Sequence, residues 1–152
     1  MILVDTNIPL RIAQPGHPHR QVAIDALERL TLREHEHFAI APQSLYEMYV
    51  VCTRPQNGNG FGMTAAQACA EIAATRALFE LLSETAKVYP IWEGLVAKHG
   101  IQGKRAHDVR LVALMIQHGV PRLLTFNDGD FAAFTEVQAL NPFDVLAIPR
   151  VG

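Results

Sequence analysis

The sequence predicts a three-layer α/β/α domain with a central parallel sheet of four to five short strands. Short apolar runs recur along the chain, and segments with the apolar spacing of helices separate them. The first run, residues 1–4, is apolar at every position, as expected of a strand covered on both faces. Alternation of such strands with helices is typical of a parallel sheet with helices on both sides.

The strands are predicted from short apolar runs that end in turn-forming or polar residues. They cover residues 1–4, 38–41, 87–89, 122–125 and 137–140, the last of them at a sheet edge.

The helices are predicted from apolar periodicity and from their end signals. Pro42 is tolerated in a first turn, Thr64 and Gln67 have the spacing of a capping box, and Gly100 and Gly119 suit helix ends. The predicted helical segments are residues 8–13, 19–33, 42–53, 64–82, 90–99, 108–118 and 130–134.

Length and composition predict one domain over residues 1–146 with a C-terminal tail at 147–152. The chain has 152 residues, of which 49% are hydrophobic and 18% charged, and this excludes a disordered chain. No apolar run approaches the ~20 residues of a membrane helix, and Asp5 interrupts the first run too early for a signal peptide, so we expect a cytoplasmic protein. The net charge of −2 weighs against a DNA-binding module, and Cys52 and Cys69 are expected to be reduced thiols.

Carboxylates occur at unusual places in this pattern. Asp5 ends the first strand, Glu47 is the only charge in an apolar helix, Asp108 begins another apolar helix, and Asp128 and Asp130 follow the fourth strand. Open α/β sheets bind ligands at the carboxyl ends of their strands. Converging carboxylates repel one another unless a cation neutralises them, and oxygen ligands favour Mg²⁺ or Mn²⁺ over zinc.

Each acid also has a purely structural interpretation. Asp5 and Asp108 could cap the turn and the helix that follow them, Glu47 could pair with Arg110, and the two aspartates around Gly129 suit a turn. The histidines lack zinc spacing, and no nucleophile elbow or phosphate-binding glycine loop is present. The acidic positions taken together, in this α/β order, favour the metal site.

At these positions the sequence resembles the PIN-domain ribonucleases, particularly the VapC-like toxins of bacterial and archaeal toxin–antitoxin modules. The glycine-rich loop after Thr53-Arg54-Pro55 is similar to that of one branch of these toxins. The matching segments keep their order over nearly the whole chain: Val4-Asp5-Thr6-Asn7, Glu47 in its apolar helix, residues 106–113, and residues 123–127 through Asp130-Phe131.

The resemblance implies an endoribonuclease that depends on one or two Mg²⁺ or Mn²⁺ ions. It also implies an RNA substrate, a homodimer, and inhibition by a cognate VapB-like antitoxin. Asp5, Glu47 and Asp108 match the first three acidic positions of the family. Many relatives have an acid where this chain has Asn127, so the fourth position is assigned to Asp130, with Asn127 orienting water or metal.

The catalytic roles follow as a hypothesis. Asp5, Asp108 and Asp130 hold the metal, and Glu47 binds or orients the attacking water, whose pKa the metal lowers. Thr6, Asn7, Thr125 and Asn127 are expected to orient these groups, and Lys104, Arg105 and Arg110 to contact RNA phosphate.

Two other functions remain open from the sequence. One is a catalytically silent scaffold that only binds a partner. The other is a different Mg²⁺-dependent phosphohydrolase, although Asn7 stands where an aspartyl-phosphate enzyme would have its second aspartate.

Overall fold

A computed structural model describes all 152 residues and contains a five-stranded parallel sheet. The strands are β1 (Ile2–Val4), β2 (Phe38–Ile40), β3 (Glu80–Leu81), β4 (Arg122–Leu124) and β5 (Gln138–Leu140). Their order is β3-β2-β1-β4-β5, and every neighbouring pair is parallel. The predicted fold class is therefore confirmed, and β1 lies at the centre of the sheet.

Seven helices cover the two faces of this sheet. They are α1 (Asn7–Ile12), α2 (Pro18–Glu34), α3 (Pro42–Thr53), α4 (Ala65–Leu78), α5 (Val88–His99), α6 (Arg105–His118) and α7 (Pro142–Leu146). Two 3₁₀ turns, Gln56–Gly58 and Asp128–Phe131, lie between them. No helix is both long enough and apolar enough to span a lipid bilayer.

The alternation of side chains along β1 supplies two separate cores. Leu3 packs with the buried residues of α5 and α6, whereas Ile2 and Val4 pack with those of α1 and α2 on the opposite face. All three residues are fully buried. The uninterrupted apolar run at the start of the chain is explained by this double coverage.

The local end signals read from the sequence are confirmed. The side chain of Thr64 accepts a hydrogen bond from the N–H of Gln67 at 3.1 Å, and the Gln67 side chain accepts one from the N–H of Thr64 at 2.9 Å. Gly100 and Gly119 end α5 and α6 with φ of 60° and 64°, the left-handed conformation that glycine adopts without a steric penalty.

The third strand was predicted in the wrong place. Of residues 87–89, Lys87 precedes helix α5 and the other two begin it. Val88 and Leu95 are the buried residues of this helix. The strand is Glu80–Leu81, which the prediction included at the end of the preceding helix. Both of its residues are exposed and it pairs only with β2 at a sheet edge, so no buried apolar run marks it.

Three boundaries also differ from the prediction. Helix α6 begins at Arg105, so Asp108 lies in its first turn and is not its N-cap. The short helix predicted over residues 130–134 is the 3₁₀ turn Asp128–Phe131. No helix was predicted after Asn141, but α7 begins there, and the Asn141 side chain caps it by accepting a hydrogen bond from the N–H of Phe143 at 3.0 Å.

Candidate active site

Asp5 lies at the carboxyl end of the central strand, and three groups donate hydrogen bonds to its carboxylate. Oδ1 accepts from the N–H of Thr6 at 2.7 Å, and Oδ2 accepts from Thr125 Oγ1 at 2.7 Å and from Asn7 Nδ2 at 3.0 Å. Burial raises the pKa of Asp5, while the bonds from Thr125 and Thr6 oppose that rise. The side chain is therefore held in one orientation and favours a nearby cation.

Thr125 connects the ends of β1 and β4. Its hydroxyl is fully buried, donates to Asp5, and accepts from Asn7 Nδ2 at 3.1 Å and from the N–H of Asn127 at 3.0 Å. The Asn7 Oδ1 atom accepts in turn from the N–H of Phe126 at 3.2 Å. A hydroxyl has one donor site and two acceptor sites, so these three contacts use its full hydrogen-bonding capacity.

Glu47 is held by two side chains. Its Oε2 accepts from Thr6 Oγ1 at 2.7 Å, and its Oε1 accepts from Gln43 Nε2 at 2.9 Å. Gln43 also donates to the backbone carbonyl of His107 at 3.0 Å, so it joins α3 to the first turn of α6. Arg110, the partner considered for Glu47, instead pairs with Glu84, with Nε 2.9 Å from Oε1.

The pKa of Asp108 is raised by burial and by the charges of all three other acids. Burial raises its pKa to about 6, with further contributions from the charges of Asp130, Asp5 and Glu47, and Arg105 opposes the rise. No side chain or backbone group of the protein donates a hydrogen bond to this carboxylate. The four acids thus interact electrostatically although they come from four separate segments of the chain.

The two aspartates around Gly129 have different surroundings. Burial raises the pKa of Asp128, but hydrogen bonds from Arg150 and Asn141 outweigh it and lower that pKa. Both guanidinium Nη atoms of Arg150 lie 3.0 Å from the Asp128 carboxylate oxygens. The Asp130 side chain is exposed, and its charge acts on Asp5 and Asp108.

The remaining predicted residues lie at the rim of this acidic group. Lys104 and Arg105 are exposed at the start of α6, and Arg105 Nη2 donates to the Asp130 backbone carbonyl at 3.1 Å. Asn127 is exposed and contributes its backbone N–H to Thr125. Arg110 points to Glu84, away from the carboxylates.

Gln43 is the residue that the sequence analysis missed. It lies four positions before Glu47, so the two side chains share one helix face, and this spacing could have indicated the contact. Its Oε1 atom is buried and has no hydrogen-bond partner in the chain. An unpaired buried acceptor beside a carboxylate suits a site that takes up water or a cation.

The donor set fits a hydrated hard cation. No three Asp, Glu, His or Cys side chains lie close enough to share one ion, so the structure does not bring the predicted ligands Asp5, Asp108 and Asp130 together as a three-carboxylate site. The same finding argues against a structural zinc site. Mg²⁺ usually keeps several waters and is held by one or two carboxylates together with substrate phosphate. Asp5 and Asp108 supply two carboxylates whose donor atoms are all oxygen, which meets that requirement.

The fold and these contacts define an α/β protein with an acidic site at the carboxyl end of its central strands. The chain belongs to the PIN domain family, whose model matches residues 2–137. None of the curated proteins matches the chain significantly.

Solved structures with the same fold include VapBC structures and a VapC toxin. VapBC2 from Rickettsia felis, bound to a promoter DNA fragment, has a TM-score of 0.69 at 18% identity, covering 93% of this chain and 98% of its own. VapBC-1 from nontypeable Haemophilus influenzae has a TM-score of 0.66 at 16% identity, with coverage of 93% and 98%. The Mycobacterium tuberculosis toxin VapC20, which cleaves the sarcin–ricin loop, has a TM-score of 0.61 at 24% identity, with coverage of 91% and 99%. These similarities establish the fold.

Proposed function

We propose that this protein is a Mg²⁺- or Mn²⁺-dependent endoribonuclease and the toxin of a toxin–antitoxin module. The observation that carries the proposal is the joining of acids from separate segments at the carboxyl end of the sheet. The Thr6 N–H donates to Asp5 and the Thr6 hydroxyl donates to Glu47, each at 2.7 Å, and the charges of Asp5, Glu47 and Asp130 act on Asp108. Such a group of carboxylates binds protons or a divalent cation at neutral pH.

Asp5 and Asp108 would hold the ion directly, and Asp130 would complete the shell through bound water, since no three of these side chains lie within reach of one ion. When bound, a divalent cation acts as a Lewis acid and lowers the pKa of water. The hydrogen bonds from Thr6, Asn7 and Thr125 leave the carboxylate of Asp5 few alternative orientations. A fixed carboxylate lowers the reorganisation required when substrate arrives.

Glu47 is proposed to orient the attacking water and to receive its proton. Its two oxygens accept from Thr6 and Gln43, which fixes the plane of the carboxylate and leaves further lone pairs for water. The buried, unpaired Oε1 of Gln43 offers a second acceptor for the same water. General-base catalysis requires this kind of positioning within hydrogen-bond reach.

Lys104 and Arg105 are proposed to bind the RNA backbone. Both are exposed at the N-terminal end of α6, on the same turn of chain as Asp108. Cationic side chains beside an acidic site attract phosphate while the site itself attracts the metal. Arg110 is separated from this pair by its contact with Glu84.

The toxin assignment also includes an antitoxin partner and a homodimer. The solved structures with this fold include the complexes VapBC2 and VapBC-1. Large apolar side chains are exposed on one side of α3, namely Tyr46, Tyr49 and Val50. They border an apolar groove formed with α4, which supports association with a second subunit.

The direct test is cleavage of RNA by the purified protein, with Mg²⁺ or with a chelator. We expect cleavage only with the metal, and its loss in Asp5→Asn. Asp25→Asn also removes one carboxylate charge. It lies in helix α2, which contributes no residue to the acidic group, and this variant should leave cleavage intact. Cleavage that survives both chelation and Asp5→Asn would disprove the proposal.

Two further results would favour the rival functions. A calorimetric titration without Mn²⁺ binding would favour a silent scaffold. Metal-dependent hydrolysis of small phosphate esters, with RNA left intact, would favour another phosphohydrolase.

A further inference from the structure

A separate cavity lies beside the acidic site, on the other side of the first turn of α6. Its volume is about 450 Å³. It is formed by the segment after β3 together with α5 and α6, and the residues that give it its chemistry are Glu84, Tyr89, Trp92, His107 and Arg110. None of these residues holds the carboxylates of the acidic group, so the cavity has no role in the mechanism above.

One wall of the cavity is a fixed pair of aromatic rings. The rings of Tyr89 and Trp92 are stacked, with centroids 5.8 Å apart and an angle of 30° between their planes. The indole Nε1 of Trp92 donates to the Ala106 carbonyl at 2.8 Å, which prevents the ring from rotating away. The Tyr89 residue is 64% exposed, so its ring is open to a ligand.

Polar groups stand at the edge of this aromatic wall. Arg110 Nε lies 2.9 Å and 3.2 Å from the two carboxylate oxygens of Glu84. This ion pair uses only the Nε atom of Arg110, so both terminal amino groups of the guanidinium keep their hydrogens available as donors. The cavity therefore presents a planar cation and a carboxylate acceptor side by side next to two flat rings.

The cavity and the acidic site are linked through the first turn of α6. Trp92 donates to the carbonyl of Ala106, and Gln43, which also holds Glu47, donates to the carbonyl of the next residue, His107. Asp108 follows directly in the chain. A nucleotide bound in the cavity would thus lie next to a phosphate at the carboxylates.

We propose that this cavity binds an unpaired nucleobase of the RNA substrate, adjacent to the phosphate that is cut. Bases of single-stranded RNA stack on Tyr and Trp rings and on guanidinium planes, and their edges need both donors and acceptors. The exposed cations Lys104 and Arg105 directly precede the cavity-lining Ala106 in the chain and suit the sugar–phosphate chain of an RNA. They would add nothing to the binding of an apolar peptide side chain. The proposal rests on the proposed ribonuclease function.

The test uses Trp92, which is the only tryptophan in the chain. The full-length protein is titrated in EDTA with a short single-stranded oligoribonucleotide and with an oligomer of equal length that carries one abasic position. We expect the normal oligomer to quench Trp92 fluorescence. The abasic position is then moved along the oligomer, and we expect the quench to be lost when the missing base is the one that would occupy the cavity. Gel analysis after the titration verifies that the RNA is intact.

Variants of the exposed tyrosine test the stacking itself. Tyr89→Ala should weaken binding by about tenfold, the usual loss for one stacked base, while Tyr89→Phe should retain the wild-type affinity. In cleavage assays Tyr89→Ala should raise KM and leave kcat unchanged. Leu32→Ala is the control, because Leu32 is an apolar side chain 75% exposed on helix α2 that does not line this cavity.

The outcomes separate this proposal from the ribonuclease proposal. Base-dependent quenching by a protein that cuts no RNA would retain the nucleobase site and remove the nuclease. Metal-dependent cleavage with identical quenching by normal and abasic oligomers would retain the nuclease and overturn the nucleobase site. Equal losses of affinity in Leu32→Ala and Tyr89→Ala would also overturn it. A change in Trp92 fluorescence with N-acetylphenylalaninamide but with neither oligomer would overturn it in favour of a peptide side chain.

Discussion

Replacement of Asp108 by asparagine should stabilise the metal-free protein above neutral pH. The pKa of this carboxyl is raised from 3.8 to about 6, by burial first and then by the neighbouring acids. The fold therefore prefers the protonated form. Its stabilising contribution is complete below the unfolded pKa of 3.8 and is lost as the pH rises through about 6. The asparagine in Asp108→Asn cannot ionise, so the variant does not lose this stability as the pH rises.

The size of the effect is limited by solvent. For a fully buried carboxyl, the interval from 3.8 to about 6 would correspond to about 3 kcal/mol. Asp108 is only partly buried, so we expect screening to leave roughly 1 kcal/mol. No hydrogen bond within the chain is lost with the carboxylate. A gain of this size raises the Tm of a domain of this length by roughly 2–4 °C.

Thermal unfolding followed by circular dichroism in EDTA measures this gain. Asp108→Asn should melt above wild type at about pH 8, and the two curves should converge at about pH 3, below the unfolded pKa of 3.8, where both side chains are uncharged. Asp128→Asn is the control of opposite sign, because hydrogen bonds from Arg150 lower the pKa of Asp128 and its removal should cost stability at about pH 8. Addition of Mn²⁺ should raise the Tm of wild type above that of Asp108→Asn. An Asp108→Asn protein that melts below wild type at about pH 8 in EDTA would refute the reasoning.

Three further predictions concern separate contacts. Thr125→Val removes a donor to a charged carboxylate and leaves two N–H groups without their acceptor, so the free energy of unfolding in urea should fall by about 2 kcal/mol; an unchanged midpoint would contradict the hydrogen-bond assignment. Asp130→Asn should lower metal-dependent RNA cleavage at least about tenfold, whereas Asp128→Asn should cleave at nearly the wild-type rate at a temperature where it is folded; the reverse order would assign the fourth acid to Asp128. Thr64→Ala should cost about 1 kcal/mol in the same urea experiment by removing the capping box of α4, and the contact is absent if the midpoint does not move.

Much of the fold could be predicted because its signals are local. Pro42 at the start of α3, the Thr64–Gln67 capping box and the left-handed glycines after α5 and α6 each act on the turn that contains them. The missed strand β3 has no such signal. It is two exposed residues long, and only its hydrogen bonds to β2 make it a strand.

The candidate site was predictable in part for a different reason. A charged residue in an otherwise apolar segment is costly to bury, so Asp5 and Glu47 were conspicuous in the sequence alone. The contacts of Arg110 and Gln43 could not be predicted in this way, since neither residue interrupts an apolar segment. Their partners, Glu84 and the backbone of His107, lie on other elements, 26 and 64 positions away.

The sequence by itself determined that a parallel sheet would place several acids at the carboxyl ends of its strands, because periodicity and strand order are properties of short segments. Only the tertiary structure showed how differently Asp128 and Asp130 are surrounded. Both follow the same strand and share one turn, but Arg150 from the far end of the chain pairs with Asp128, while Asp130 acts on the pKa of Asp108. Such choices depend on which distant groups share a small volume, and no local pattern encodes that distance.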